Sequence, residues 1–159
     1  MIKRVCTWLL AAIASGLCTA TQAADVSFDG SILDSCTLAL TTSGTLALSA
    51  DGTTLGSEVA GGRAAQITIL STGSHTVTVG APTRSSAPPP GYDTATETVE
   101  IAYSGETLLA GVRQPYTTSA TGFAVGTIAL TTLDLNSRIT NPGGFASGSY
   151  TTRTVVTCN

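Results

Sequence analysis

Charged residues make up only 11% of this 159-residue chain and aromatic residues 5%. There is one histidine, one tryptophan and one methionine, and the only lysine is Lys3. Each scarcity excludes something. With His75 as the sole histidine, a serine or cysteine triad has one place to form, and no Gly-x-Ser-x-Gly elbow accompanies it. His75 reads instead as an exposed residue opening a strand. One histidine and the two distant cysteines outside the first 23 residues, Cys36 and Cys158, do not make a zinc site. No acidic run matches a calcium loop, although Asp25, Asp29 and Asp34 lie close in sequence. Glu97 and Glu100 differ in strand parity and Glu106 falls in a connection, so paired-carboxylate chemistry is unsupported. The expectation is a non-catalytic protein with no metal and no cofactor.

The first residues are Met-Ile-Lys-Arg, followed by an apolar run from Val5 to about Leu17 and by Thr21-Gln22-Ala23. This is the pattern of a secretory signal peptide cleaved after Ala23. The run is too short for a membrane span, and no later stretch is longer. Leu17 stands before Cys18 where a lipoprotein site requires a small residue. Removing residues 1–23 from 159 leaves 136, expected to form one domain, 24–159. Lys3 and Arg4 leave with the peptide, so five arginines face ten acidic residues and the formal charge is −5. A basic patch for nucleic acid or an anionic membrane is therefore not expected.

What remains is rich in Thr, Ser, Gly, Val and Ala, which suits strands and turns. Val26, Phe28, Gly30, Ile32, Asp34 and Cys36 share one parity, so a strand over this stretch puts them on one face. Thr45–Ser49 alternates Leu46 and Leu48 with polar residues. Ala64–Ser71 and His75–Val79, joined by Thr72-Gly73-Ser74, read as a hairpin. Residues 80–95 hold Pro82 and Pro88-Pro89-Pro90 and read as a long surface connection. Glu97–Ser104 resumes extended structure, and residues 105–121 read as a second polar connection. Gly122–Leu133 alternates with a slip near Gly126-Thr127, which predicts a β-bulge. Ser149–Cys158 closes the chain, with Tyr150, Thr152, Thr154, Val156 and Cys158 on one face. About seven short strands predict an all-β protein, an immunoglobulin-like β-sandwich with Greek-key connections.

Cys36 and Cys158 are the cysteines left after cleavage, and an even count in an exported chain predicts a disulfide between them. For ligand binding the candidates are Tyr92 and Tyr116, the aromatic residues of the two connections. Tyr103 and Tyr150 align with apolar strand faces and are expected in the core.

Val26-x-Phe28-x-Gly30-x-Ile32-Leu33 leading to Cys36 resembles the first strand of chaperone–usher pilin subunits. Ser149-Tyr150 through Val156-Thr157 resembles the last strand of pilins and of spore-coat-U-like secreted proteins. The resemblance covers the two ends of the chain. It implies a fimbrial-type sandwich lacking one strand, which a neighbouring subunit donates. It implies as partners the chain itself or other pilus-like subunits and a periplasmic chaperone, and as location the periplasm or surface of a bacterium. Val26, Phe28 and Ile32 are then the donor residues, and Tyr150 and Val156 line the receiving wall. The chain departs from pilins in having only Ala24 and Asp25 before this strand, and in pairing Cys36 with the penultimate residue. A self-complete relative therefore stays open, and so does a monomeric binding module for a glycan or protein, using the 80–95 and 105–121 loops.

Overall fold

Valine, isoleucine and threonine are stiff at χ1 and pack well on a pleated surface, and in this chain they recur through extended stretches such as 67–69, 76–79 and 98–101. The result is all-β. The structure, a computed structural model, describes residues 27, 29–31, 33–107, 110–126 and 129–159, and among these there is no helix. Residues 1–23, Val26, Phe28 and Ile32 lie outside the described residues, and the architecture below is that of the unit beginning at residue 32.

Every strand pairing is antiparallel. In the first sheet β1 (Cys36–Thr42) is an edge strand beside β4 (Ala65–Ser71), which pairs on its other side with β10 (Ala129–Thr140). Beyond β4, the last residues of β10 carry β3 (Thr54–Gly56), and β3 carries β2 (Ala47–Leu48). On the opposite side of β10 lie β7 (Thr98–Glu106) and the edge strand β8 (Gly111–Thr117). The second sheet has β5 (His75–Val79) between β9 (Thr121–Val125) and the edge strand β12 (Val156–Cys158). Two short strands, β6 (Thr83–Arg84) and β11 (Thr152–Arg153), extend the β5–β12 pair past an interruption. There the Gly80 N–H still donates to Val155 O at 2.8 Å.

The two sheets meet across one core. Ile69, Ile101, Tyr103, Leu133 and Leu135 of the first pack with Val77, Val79 and Val125 of the second, all buried. Alternation explains the selection: odd-numbered residues of β4, β5 and β7 turn inward and their neighbours turn out. Removing these side chains from water, at about 1.5–3 kcal/mol each, is the main force holding the layers together.

Four expectations are corrected by this topology. β4 and β5 do not form a hairpin; residues 72–74 carry the chain from one sheet to the other. The slip expected near Gly126-Thr127 falls where the chain changes sheet, since β9 lies in one and β10 in the other; Thr127 lies outside the described residues, and Leu130 faces solvent. The 105–121 stretch contains β8, so Tyr116 sits on a strand. Among the described residues the first strand begins at Cys36, and those from 27 to 35 are not strand. Tyr103 is buried as expected, and its hydroxyl lies 3.0 Å from Thr121 Oγ1.

Candidate functional site

The first and last strands, β1 and β12, are edges of different sheets and come close to each other. Between them opens a groove of about 710 Å³. Leu38, Leu40, Ala65 and Ile67 line one side, Leu135 and Ile101 lie in its floor, and Tyr150, Thr152, Thr154 and Val156 line the other side. Leu40 is 64% exposed although it points into this concavity. One part of the groove is polar: the Ser57 hydroxyl donates to Asn136 Oδ1 at 2.8 Å, and the Ser137 and Thr152 hydroxyls lie 2.9 Å apart.

Both walls carry backbone groups that no described residue bonds. The Thr72 N–H donates to Ser35 O at 2.9 Å, which sets the phase of the β1–β4 ladder. As far as the register shift after Leu40, odd-numbered residues of β1 therefore bond to β4, and the N–H and C=O of Leu38 and Leu40 face the groove. On the other wall Val155 O accepts from Gly80, and Asn159 and Thr76 exchange both their bonds. The same alternation turns the backbone groups of Thr154 and Val156 to the groove. An apolar trough with a free strand edge on each side is shaped for an extended chain whose alternate side chains are apolar.

The groove is fixed at each end by covalent or ionic chemistry. At one end the Cys36–Cys158 disulfide joins the two edges, with Cα atoms 6.1 Å apart. At the other, Tyr150 stands in an aromatic cluster, edge-on to Tyr92 and Phe145 at 5.3 and 5.2 Å. The Arg84 guanidinium lies 4.8 Å from the Tyr92 and Tyr150 ring centres and is ion-paired with Glu97. Burial pushes the Tyr150 phenol above its ordinary range, and its hydroxyl donates to Ala146 O at 2.8 Å.

The two candidate ligand tyrosines are not brought together. Tyr92 stacks on Phe145 at 5.8 Å within the Arg84 cluster. Tyr116 lies under Arg138, 3.9 Å from ring centre to guanidinium, and donates to Glu58 Oε2 at 2.8 Å. Burial first, then the Glu58 carboxylate, pushes the Tyr116 phenol up, beyond its ordinary range. Both rings are engaged by protein groups, and they share none of these partners. His75 is mostly enclosed rather than exposed, with Nε2 2.9 Å from Asp34 Oδ1.

The periodicity that flagged Cys36 continues through Leu38 and Leu40, so the groove-lining face of β1 carried a signal. Ile67, Leu135, Ser57 and Ser137 carried none, because a groove floor and a core look alike in sequence. No family model matches the chain, and no curated protein and no solved structure matches it.

Proposed function

We propose that this chain is an exported structural or surface subunit, similar to fimbrial or spore-coat-U-like proteins, that takes up an extended strand in the groove between β1 and β12. The observation that carries this reading is an apolar trough bordered by two strand edges that are unpaired among the described residues. The occupant is the Val26–Ile32 segment of a second copy, which offers Val26, Phe28 and Ile32 at alternate positions. A periplasmic chaperone covers the same trough before assembly, and the setting is the periplasm or surface of a bacterium.

The way the chain leaves Cys36 supports donation to another copy. Ser35 N–H donates to Thr72 Oγ1 at 2.9 Å, and Thr72 Oγ1 donates to Leu33 O at 2.7 Å. With the Asp34–His75 contact these bonds hold residues 33–35 along the 72–75 connection, in line with β1. Folding back into its own groove would require a reversal at these residues and the loss of those bonds.

The test is the association state of the protein exported from a bacterium, followed by sedimentation velocity over a range of concentrations. The wild type is expected to form chains of subunits. Phe28→Asp is expected to give a folded monomer. A wild type that stays monomeric at every concentration overturns the proposal.

A further inference from the structure

Among the described residues the groove lining contains one charged side chain, Arg153 on β11. It is exposed and has no carboxylate partner among the described residues, where Glu97 and Glu100 pair with Arg84 and Arg138 and Asp34 contacts His75. Along β11 and β12 the residues Arg153, Val155 and Thr157 turn out, and Thr152, Thr154, Val156 and Cys158 turn in. An unpaired cation thus stands on the rim of an apolar trough in a chain that is acidic overall.

We propose that Arg153 sets the register of the entering segment by pairing with Asp29 of a second copy, an inference that rests on the strand-uptake reading above. Apolar alternation by itself leaves the register open. A one-residue slip reverses every side chain, but a two-residue slip keeps Val26, Phe28 and Ile32 facing inward. The rim charge distinguishes those remaining registers. With Val26, Phe28, Gly30 and Ile32 inward, the outward positions are Asp25, Ser27, Asp29 and Ser31.

Consider the segment running antiparallel to β12 with Asp29 opposite Arg153. Val26 then faces Val156, Phe28 faces Thr154, and Ile32 reaches Tyr150. Gly30 falls opposite Thr152, where the wall and floor are the hydrogen-bonded hydroxyls of Ser57, Ser137 and Thr152 and an apolar side chain gains least. A slip of two residues either way sets Ser27 or Ser31 against the guanidinium and leaves it without a counter-charge. A slip of four sets Asp25 there but moves Val26 to Thr152, so Val156 and Leu38 stay uncovered. In this orientation one register alone satisfies both the charge and the apolar wall. Opposite charges facing each other across strands are favourable and like charges unfavourable.

The experiment measures association of the full exported chain by sedimentation at low and moderate salt. The variants are Arg153→Glu, Asp29→Arg, the two together, and Phe28→Asp. Each single reversal is expected to weaken association about tenfold and to reduce its dependence on salt. The double reversal is expected to return to within about threefold of wild type. Because Asp29 and Arg153 are both exposed, the three charge variants should unfold at the wild-type denaturant midpoint at concentrations where the wild type is monomeric. If Phe28→Asp abolishes association but the double reversal is no stronger than its singles predict, the register assignment is wrong and strand uptake stands. If Phe28→Asp leaves association unchanged, strand uptake fails and the register assignment fails with it.

Discussion

Arg84 holds its charge where little water reaches it, with its side chain 10% exposed and that of Glu97 8% exposed. A buried charge is tolerated only with a partner and further stabilising contacts, and here the Glu97 carboxylate and the Tyr92 and Tyr150 rings supply them. Glu97→Gln should therefore cost about 3–5 kcal/mol, since it leaves the guanidinium enclosed and uncompensated. The check is the urea midpoint at constant m-value. Replacing both residues by apolar ones of similar volume should cost far less, which separates the loss of a partner from the loss of packing. None of this was legible in the sequence. The prolines of 80–95 mark a connection, but nothing in a loop sequence says that an arginine at its start meets a glutamate beyond its end.

At the scale of elements, the disulfide joins the two edge strands, β1 and β12, that no backbone ladder joins. It closes a loop with a sequence separation of 122. On chain-entropy grounds the stabilisation is about 5 kcal/mol. Cys36→Ser combined with Cys158→Ser should lower the denaturant midpoint accordingly. It should also raise the m-value, because the uncrosslinked unfolded chain exposes more surface. Strand positions were largely readable, since period-2 alternation is a local property, but partners were not. Ile67 and Ile69 satisfy the same burial whether Val77 and Val79 lie beside them in a hairpin or face them across a core, and Thr72-Gly73-Ser74 suits either path. The same ambiguity made the change of sheet between β9 and β10 look like a bulge. β8 was hidden for another reason: Arg113 and Pro115 are what an edge strand tolerates, and they are equally what a loop contains.

For the whole molecule, the separation between core and groove is an energetic one that single substitutions can expose. Leu133 is fully buried between the sheets, and Leu133→Ala should cost about 2–5 kcal/mol through lost transfer energy and a residual cavity. Leu40 is as apolar, yet 64% of it meets solvent in the isolated fold. Leu40→Asp should therefore change unfolding free energy by no more than about 0.5 kcal/mol, as surface substitutions do. The same change sets a carboxylate in the middle of the trough, where a docked strand would bury it unpaired, so it should abolish association between copies. Denaturant unfolding and sedimentation of the same two variants give the comparison. A subunit built to receive a strand predicts opposite patterns: Leu133→Ala less stable but still associating when folded, Leu40→Asp fully stable and monomeric. If Leu40→Asp associates like wild type, the trough is not where copies meet. If it unfolds like Leu133→Ala, Leu40 belongs to the core and the groove is closed in solution.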